Sequence, residues 1–279
     1  MLRIRVMNLD DVLLGCRLND AAGWNQLPSD WQRLLALEPA GCFVAEWHGQ
    51  PVGTTCVTRF NTIAWISMVL VDAAQRGRGI GTQLMRHAIA WLDQCGTQTV
   101  RLDATALGRP VYEKLGFVGE YEVTRWEGTA AGGKLGPGIT WAGESDLEAI
   151  TALDCQVTGT PRGSLLARLF ADRPHGMRVA ATRGQITGFC HVRPGVRARQ
   201  IGPVIALDAS SGFALLEAAF LDQQGQAVFL DVPAPNRLAM QWAEARGLRS
   251  PRQFLRMVRG QPVGDRPAQI WAGFGPEKG

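Results

Sequence analysis

Polar and apolar residues alternate over Leu2-Arg3-Ile4-Arg5-Val6, the pattern of a half-buried strand. An apolar run, Ile66-Ser67-Met68-Val69-Leu70-Val71, predicts a second strand that enters the turn Asp72-Ala73-Ala74. After the loop Gln75-Arg76-Gly77-Arg78-Gly79-Ile80-Gly81, the residues Ile80, Leu84, Ala88 and Leu92 recur at the spacing of one helix face, with His87 off that stripe and on the surface. Val100-Arg101-Leu102-Asp103 reads as another strand. Pro110 to Phe117 reads as a short helix stopped by Gly116.

The order strand, glycine-punctuated loop, long helix builds a seat for an anion. Glycines let the backbone bend toward a ligand, and the helix start offers unpaired N–H groups and the positive end of its dipole. Arg76 and Arg78 add positive charge. The dinucleotide fingerprint Gly-x-Gly-x-x-Gly is not matched, and Ile80-Gly81-Thr82 lacks the Gly-Lys-Ser/Thr ending of a nucleoside-triphosphate loop.

What remains, Arg76-x-x-Gly79-x-Gly81, resembles the Arg/Gln-x-x-Gly-x-Gly/Ala signature of the GCN5-related N-acetyltransferase (GNAT) superfamily. The run Tyr112-Glu113-Lys114-Leu115-Gly116-Phe117 is similar to that family's last helix. The resemblance implies acetyl-coenzyme A as co-substrate. The backbone of Val69, Leu70 and Val71 would pair with its pantetheine arm, and Arg76, Gly77, Arg78, Gly79, Ile80, Gly81 and Thr82 would hold its pyrophosphate. By the same resemblance Tyr112 would protonate the departing thiolate. Where the family often has Asn-x-x-Ala, this chain has Thr105 and Gly108, so Thr105 is counted with the coenzyme-binding residues.

The chain has 279 residues, more than one such domain of about 150, so two units are expected. Hydrophobic residues make up 46% and charged residues 19%, enough for buried cores, and no stretch nears the roughly 20 apolar residues of a membrane span. The amino terminus lacks the apolar run of a signal peptide, so a cytoplasmic location is expected. Six cysteines and four histidines show no metal-ligand spacing, which points to reduced thiols and no metal. The net charge of +4 is spread without a nucleic-acid motif and suits a polyanionic coenzyme instead.

Self-similarity gives the architecture. Phe43 to Gly53 reads like Arg178 to Gly188 at a spacing of 135, both as strand, Gly-Gln turn, strand. The same spacing sets Asp11-Val12 over Asp146-Leu147, and nearly the same sets 66–72 over 202–208. We therefore expect an α/β chain of two tandem GNAT-type domains, each a mixed, mostly antiparallel sheet flanked by helices: residues 1–127, a glycine-rich linker 128–138, and residues 139–279. In the second copy only Ala209-Ser210-Ser211-Gly212 separates the strand from a helix expected at Phe213, and aligned glycines put Ala243 where the first copy has Tyr112. That copy is expected to be catalytically silent, forming an acceptor-pocket wall or a homodimer surface.

Transfer to an amine also needs a base and an acceptor pocket. Glu46, Asp103, His48 or a water chain could serve as the base, although Glu46 and His48 also suit a solvated hairpin and Asp103 a loop cap. Trp24 and Trp65 are the acceptor candidates, by cation-π attraction to a small-molecule amine. The leading expectation is a small-molecule N-acetyltransferase. The alternatives are a non-catalytic acyl-coenzyme A sensor and a peptide or protein N-acetyltransferase.

Overall fold

Tight turns of one kind recur at the repeat spacing. His48 and Gly49 have φ of 51° and 80°, Arg183 and Gly184 have 53° and 77°, and two successive residues at positive φ make the turn whose twist suits a two-residue hairpin. The structure is a computed structural model describing residues 1–276; the last three positions of the expected second domain, 277–279, lie outside it. It separates into two units, Met1–Val118 with Met257–Pro262, and Gly119–Arg256 with the segment from Val263 on.

Unit 1 runs β1 (Leu2–Val6), α1 (Val12–Ala21), α2 (Pro28–Leu37), β2 (Cys42–Trp47), β3 (Gln50–Phe60), β4 (Ile63–Val71), α3 (Ile80–Gln94), β5 (Thr99–Ala104) and α4 (Arg109–Glu113). Strands β1 to β4 are antiparallel neighbours, and β5 runs parallel to β4. Alternation along β2 sorts its side chains: Cys42 and Val44 join Cys56, Met68 and Leu70 beneath Val12, Leu18, Trp31 and Leu34 of α1 and α2. Phe43 points the other way, edge-on to His87 and Trp91 of α3. Gly15 lets α1 close on α2, because a Cβ there would stand 2.7 Å from the Trp31 indole.

Unit 2 opens with β6 (Val118–Thr129), repeats this order with β7 (Ile139–Trp141), α5 (Leu147–Thr158), α6 (Gly163–Asp172), β8 (Met177–Thr182), β9 (Gln185–Arg193), β10 (Arg199–Ala206), α7 (Ala209–Asp222), β11 (Ala227–Pro233) and α8 (Arg237–Ala245), and continues with β12 (Arg249–Gly260). It adds β13 (Ile270–Ala272). Its sheet order is β12-β6-β11-β10-β9-β8-β7, with β13 on β10. The last residues of β12, from Met257, count with unit 1.

The chain divides earlier than the 1–127 and 139–279 boundaries because β6 pairs with β11 from Val123↔Pro233 to Thr129↔Ala227. Nor are residues 128–138 a slack tether. Gly128 and Thr129 lie in β6, and a Cβ at Gly133 would fall 2.0 Å from the Glu217 carbonyl on α7. These glycines permit close backbone contact. The helix expected at Phe213 starts at Ala209, since the Asp208 carboxylate accepts from Ser211 N at 2.9 Å and Ser211 Oγ at 2.9 Å and so caps an earlier turn.

Unit 2 also buries an ion pair. Arg162 donates from Nε to Asp154 Oδ2 at 3.0 Å and from Nη2 to Oδ1 at 2.7 Å, with side chains 5% and 0% exposed. Removing one partner strands the other charge away from water, so Arg162→Ala is expected to cost about 3–5 kcal/mol. A urea unfolding midpoint unchanged from wild type would contradict that.

Candidate active site

Strands β4 and β5 pair only over Ile63↔Thr99, Ala64↔Val100 and Trp65↔Arg101, and then part. Beyond that point β4 runs on from Ile66 to Val71 and β5 from Leu102 to Ala104. A bulge sets the geometry of the open side. Ser67 pairs with Cys56 and Leu70 with Thr54, so Met68 and Val69 together oppose Thr55. Met68 has φ 53°, and the Thr54 hydroxyl donates to its carbonyl at 2.8 Å. Val69, Leu70 and Val71 thus lie on the stretch of β4 that faces the parting.

The loop comes directly after. Asp72 accepts from Ala74 N at 3.1 Å and from Arg17 Nη1 at 2.6 Å, and the Arg17 hydrogen bond, with that from Ala74, holds its carboxyl below the usual range. Arg76 Nε donates to the Val71 carbonyl at 3.1 Å, drawing the arginine over the end of β4. Arg78 lies over the Trp47 ring, 5.6 Å from its centroid. Gly77 and Gly79 take φ of 77° and 76°, which L side chains rarely adopt, and a Cβ on either would meet nothing within 4 Å. Gly79 caps the 15-residue α3 without any side-chain hydrogen bond. The first amides of α3, at Ile80, Gly81 and Thr82, therefore stand at an open, positively polarised helix start.

Across the parting, Thr105 does the local work of the missing asparagine. Its Oγ1 accepts from Gly108 N at 3.2 Å and its carbonyl accepts from Arg109 N at 2.9 Å, which starts α4. Gly108 is required by the tyrosine, since a Cβ there would come 2.9 Å from the Tyr112 ring. The ring is half-buried, tilted 60° against Phe117, and desolvation pushes its phenol up to about 12. Phe117 N donates to Tyr112 O at 3.1 Å, and in unit 2 Leu248 N donates to Ala243 O at 3.1 Å, so Ala243 does stand in the place of Tyr112.

The base candidates separate by position. Glu46 accepts from Arg5 Nε at 2.6 Å at the β1–β2 edge, and His48 is exposed at the hairpin tip. Asp103 alone of the three lies on β5 past its last pair with β4. Its face is set by the register: Cys56 belongs to the α1–α2 core, Ser67 opposes Cys56, Trp65 opposes Thr58, Arg101 aligns with Trp65, and Asp103 is two residues on. On this face Thr58 Oγ1 and Ser67 Oγ are buried without a hydrogen-bond partner among the described residues, and Arg101 is 3% exposed. Sequence reasoning missed Thr58, Ser67 and Arg101; the only signal was polar residues inside apolar strands. Trp65 is 5% exposed in the fully paired part of β4, and Trp24 is half-buried against the α1–α2 core. Both indoles are thus packed within unit 1.

Among the described residues no helix is long and apolar enough to cross a membrane, and no group of three or more His, Cys, Asp or Glu is placed to hold a metal ion.

Residues 12–117 match the sequence model of the acetyltransferase (GNAT) family, and residues 150–272 match a second one, an acetyltransferase (GNAT) domain. The uncharacterised N-acetyltransferase YitH of Bacillus subtilis (strain 168) is 24% identical over 223 residues, 78% of this chain and 77% of that protein. A proposed acetyltransferase of Pyrococcus horikoshii superposes with a TM-score of 0.86 at 24% identity, covering 100% of this chain and 96% of that one. A tandem GNAT protein from the clavulanic acid biosynthesis pathway gives 0.65 at 15% identity, covering 94% and 99%. At these identities the structural likeness is one of fold.

Tyr112 gives a direct readout of the site. Its phenol is about 12 in the fold against an ordinary 10, so the native state keeps the proton where the unfolded chain has lost it. Its contribution is present below pH 10 and is lost as pH rises toward 12. Alkaline absorbance at 295 nm, wild type minus Tyr112→Phe, should show one phenol titrating near 12; a midpoint near 10 would mean an ordinary solvated ring.

Proposed function

The chain is a tandem-domain member of the GNAT superfamily, and we propose that its first unit transfers an acetyl group from acetyl-coenzyme A to the amine of a small molecule while its second unit does no chemistry. One observation carries this reading. Unit 1 combines an open parting of β4 and β5, a helix start with no side-chain cap, and a protonated Tyr112, whereas unit 2 has Asp208 on its helix start and Ala243 for the tyrosine.

The residues fit such a coenzyme. The edge of β4 at Val69 to Val71 suits an extended amide-bearing arm, since strand edges bind extended chains through main-chain hydrogen bonds. The loop from Arg76 to Thr82, with Gly77 and Gly79 bare, suits a pyrophosphate. When bound, the coenzyme supplies an activated acyl thioester. Orienting an amine against it is the larger part of the task, worth about 7–11 kcal/mol in well-ordered cases. Tyr112, neutral across the physiological range, holds a proton for the leaving sulfur, a contribution on the order of a hundredfold to ten-thousandfold.

Asp103 is the residue we assign to accept the amine's proton, directly or through water, because it borders the parting on the face covered by α1 and α2.

Two measurements test the assignment. Calorimetry should find one acetyl-coenzyme A per chain, and Gly79→Glu with Gly81→Glu should abolish binding by placing carboxylates in the anion seat; a stoichiometry of two would sink it. Tyr112→Phe should keep coenzyme affinity and lower kcat at least about tenfold. Unchanged turnover with the best acceptor would return Tyr112 to a packing role.

A further inference from the structure

Unit 2 has the same parting as unit 1. Strands β10 and β11 pair over Arg199↔Val228, Gln200↔Phe229 and Ile201↔Leu230, and then separate. Beyond the parting the two units differ. Past Ile201, β13 pairs antiparallel with β10 at Val204↔Ala272 and Ile205↔Ile270. The pairs Phe189↔Ile205 and Gly188↔Ala206 match Thr54↔Leu70 and Gly53↔Val71, so the register sets Val204 and Ile205 on Val69 and Leu70, residues assigned above to the coenzyme arm and one residue off the expected alignment of 66–72 with 202–208. The other wall is engaged too, since Gly273 N donates to the Asp231 carbonyl of β11 at 2.7 Å.

Side chains close over the segment. Asn236 Nδ2 donates to the Ile270 carbonyl at 3.1 Å while its Oδ1 caps α8 by accepting from Ala239 N at 3.0 Å. Thr105, at the matching cap in unit 1, has only a hydroxyl. Gln269 Nε2 donates to the Leu207 carbonyl at 3.2 Å. The Trp271 indole lies on the first turn of α7, so close that a Cβ on Gly212 would fall 1.9 Å from its ring, and Phe213 meets it edge-on at 4.9 Å. A Cβ on Gly202 would fall 2.0 Å from the Gly273 carbonyl. Trp271 is 2% exposed and Phe274 0%. Asp208 completes the set, because its carboxylate gives the start of α7 the negative charge for which the start of α3 has no side chain.

We propose that residues 267–274 are a ligand that unit 2 carries in its own chain, with the β13 backbone in the place of a pantetheine arm and the Asp208 carboxylate in the place of a phosphate. The segment meets backbone groups that the parting leaves open, on β10 at Val204 and Ile205 and on β11 at Asp231, and sets Trp271 against the start of α7. Unit 2 is a coenzyme-binding fold held permanently in its liganded form. The role given to β13 rests on the coenzyme reading of unit 1, whereas the fit of the segment to unit 2 stands whether or not unit 1 turns over.

The test is deuterium exchange on the full-length protein with acetyl-coenzyme A as the probe. Peptides covering 267–274 should exchange slowly, and saturating coenzyme should leave them unchanged while protecting residues 66–82. Faster exchange in 267–274 on adding coenzyme would overturn the proposal, because it would mean that coenzyme displaces the segment. Two variants guard against a trivial result. Gly212→Ala, which drives a methyl into the indole, and Trp271→Ala, which removes the indole, should each speed exchange over 267–274 at least about tenfold. In the double variant Gly212→Ala should add little further, since the three atoms nearest its methyl all belong to the Trp271 ring. Additive effects, or wild-type exchange in Gly212→Ala, would show that the segment is not held by this contact.

Discussion

Two parallel strands that pair for three residues and then diverge leave N–H and C=O groups unmatched in the middle of a sheet, and each unit is built around that deficit. Buried backbone groups must find partners, so a fold that opens its own sheet must meet them with side chains, another stretch of chain, water or a ligand. In unit 1 the bulge at Met68 turns the strand, and the Thr54 hydroxyl takes up the Met68 carbonyl. At the end of the edge Arg76 takes up the Val71 carbonyl. Unit 2 answers the same deficit with a short strand of its own chain.

The second constraint is electrostatic and sits at the next turn of chain. A helix start is an incipient positive charge, and protein chains meet it with a capping side chain or a bound anion. Unit 1 lengthens the loop, places glycines at positive φ, and leaves α3 uncapped. Unit 2 shortens the loop so that Asp208 reaches Ser211. The two solutions exclude each other locally. A loop long enough to wrap a pyrophosphate carries its capping position to Gly79, which has no side chain, and a capped short turn has no row of free amides to give.

Much of this was legible because it is local. The alternation in β1, the Gly-Gln hairpins and the α3 stripe are set by neighbours in sequence, and the loop and tyrosine motifs carry their own geometry. The start of α7 was misplaced because Ala209 to Gly212 look like loop residues until Asp208 is seen as a cap. Residues 128–138 resembled a slack linker because composition does not distinguish a glycine that is free from one, like Gly133, pressed on another backbone. β13 was invisible for a deeper reason: so short a strand has no periodicity, and its pairing partner β10 lies far back along the chain. The face of Thr58, Ser67 and Arg101 likewise emerges only from the register of three strands.

The paired designs also differ in how stability is held. A cleft filled by its own chain has its partner at fixed effective concentration, so the stability of unit 2 does not depend on any solute. A cleft left for a diffusible ligand gains stability only as that ligand binds, by about 2.7 kcal/mol at a hundred times its dissociation constant. In unit 1 the visible packing lies elsewhere: the Gly15–Trp31 contact, the Cys42 to Leu70 core beneath α1 and α2, and the Arg5 guanidinium, donating to Asp11 at 2.7 Å and to Glu46 at 2.6 Å. These contacts anchor the side of the sheet away from β5. The free energy is placed where the strands stay together, away from the parted edge.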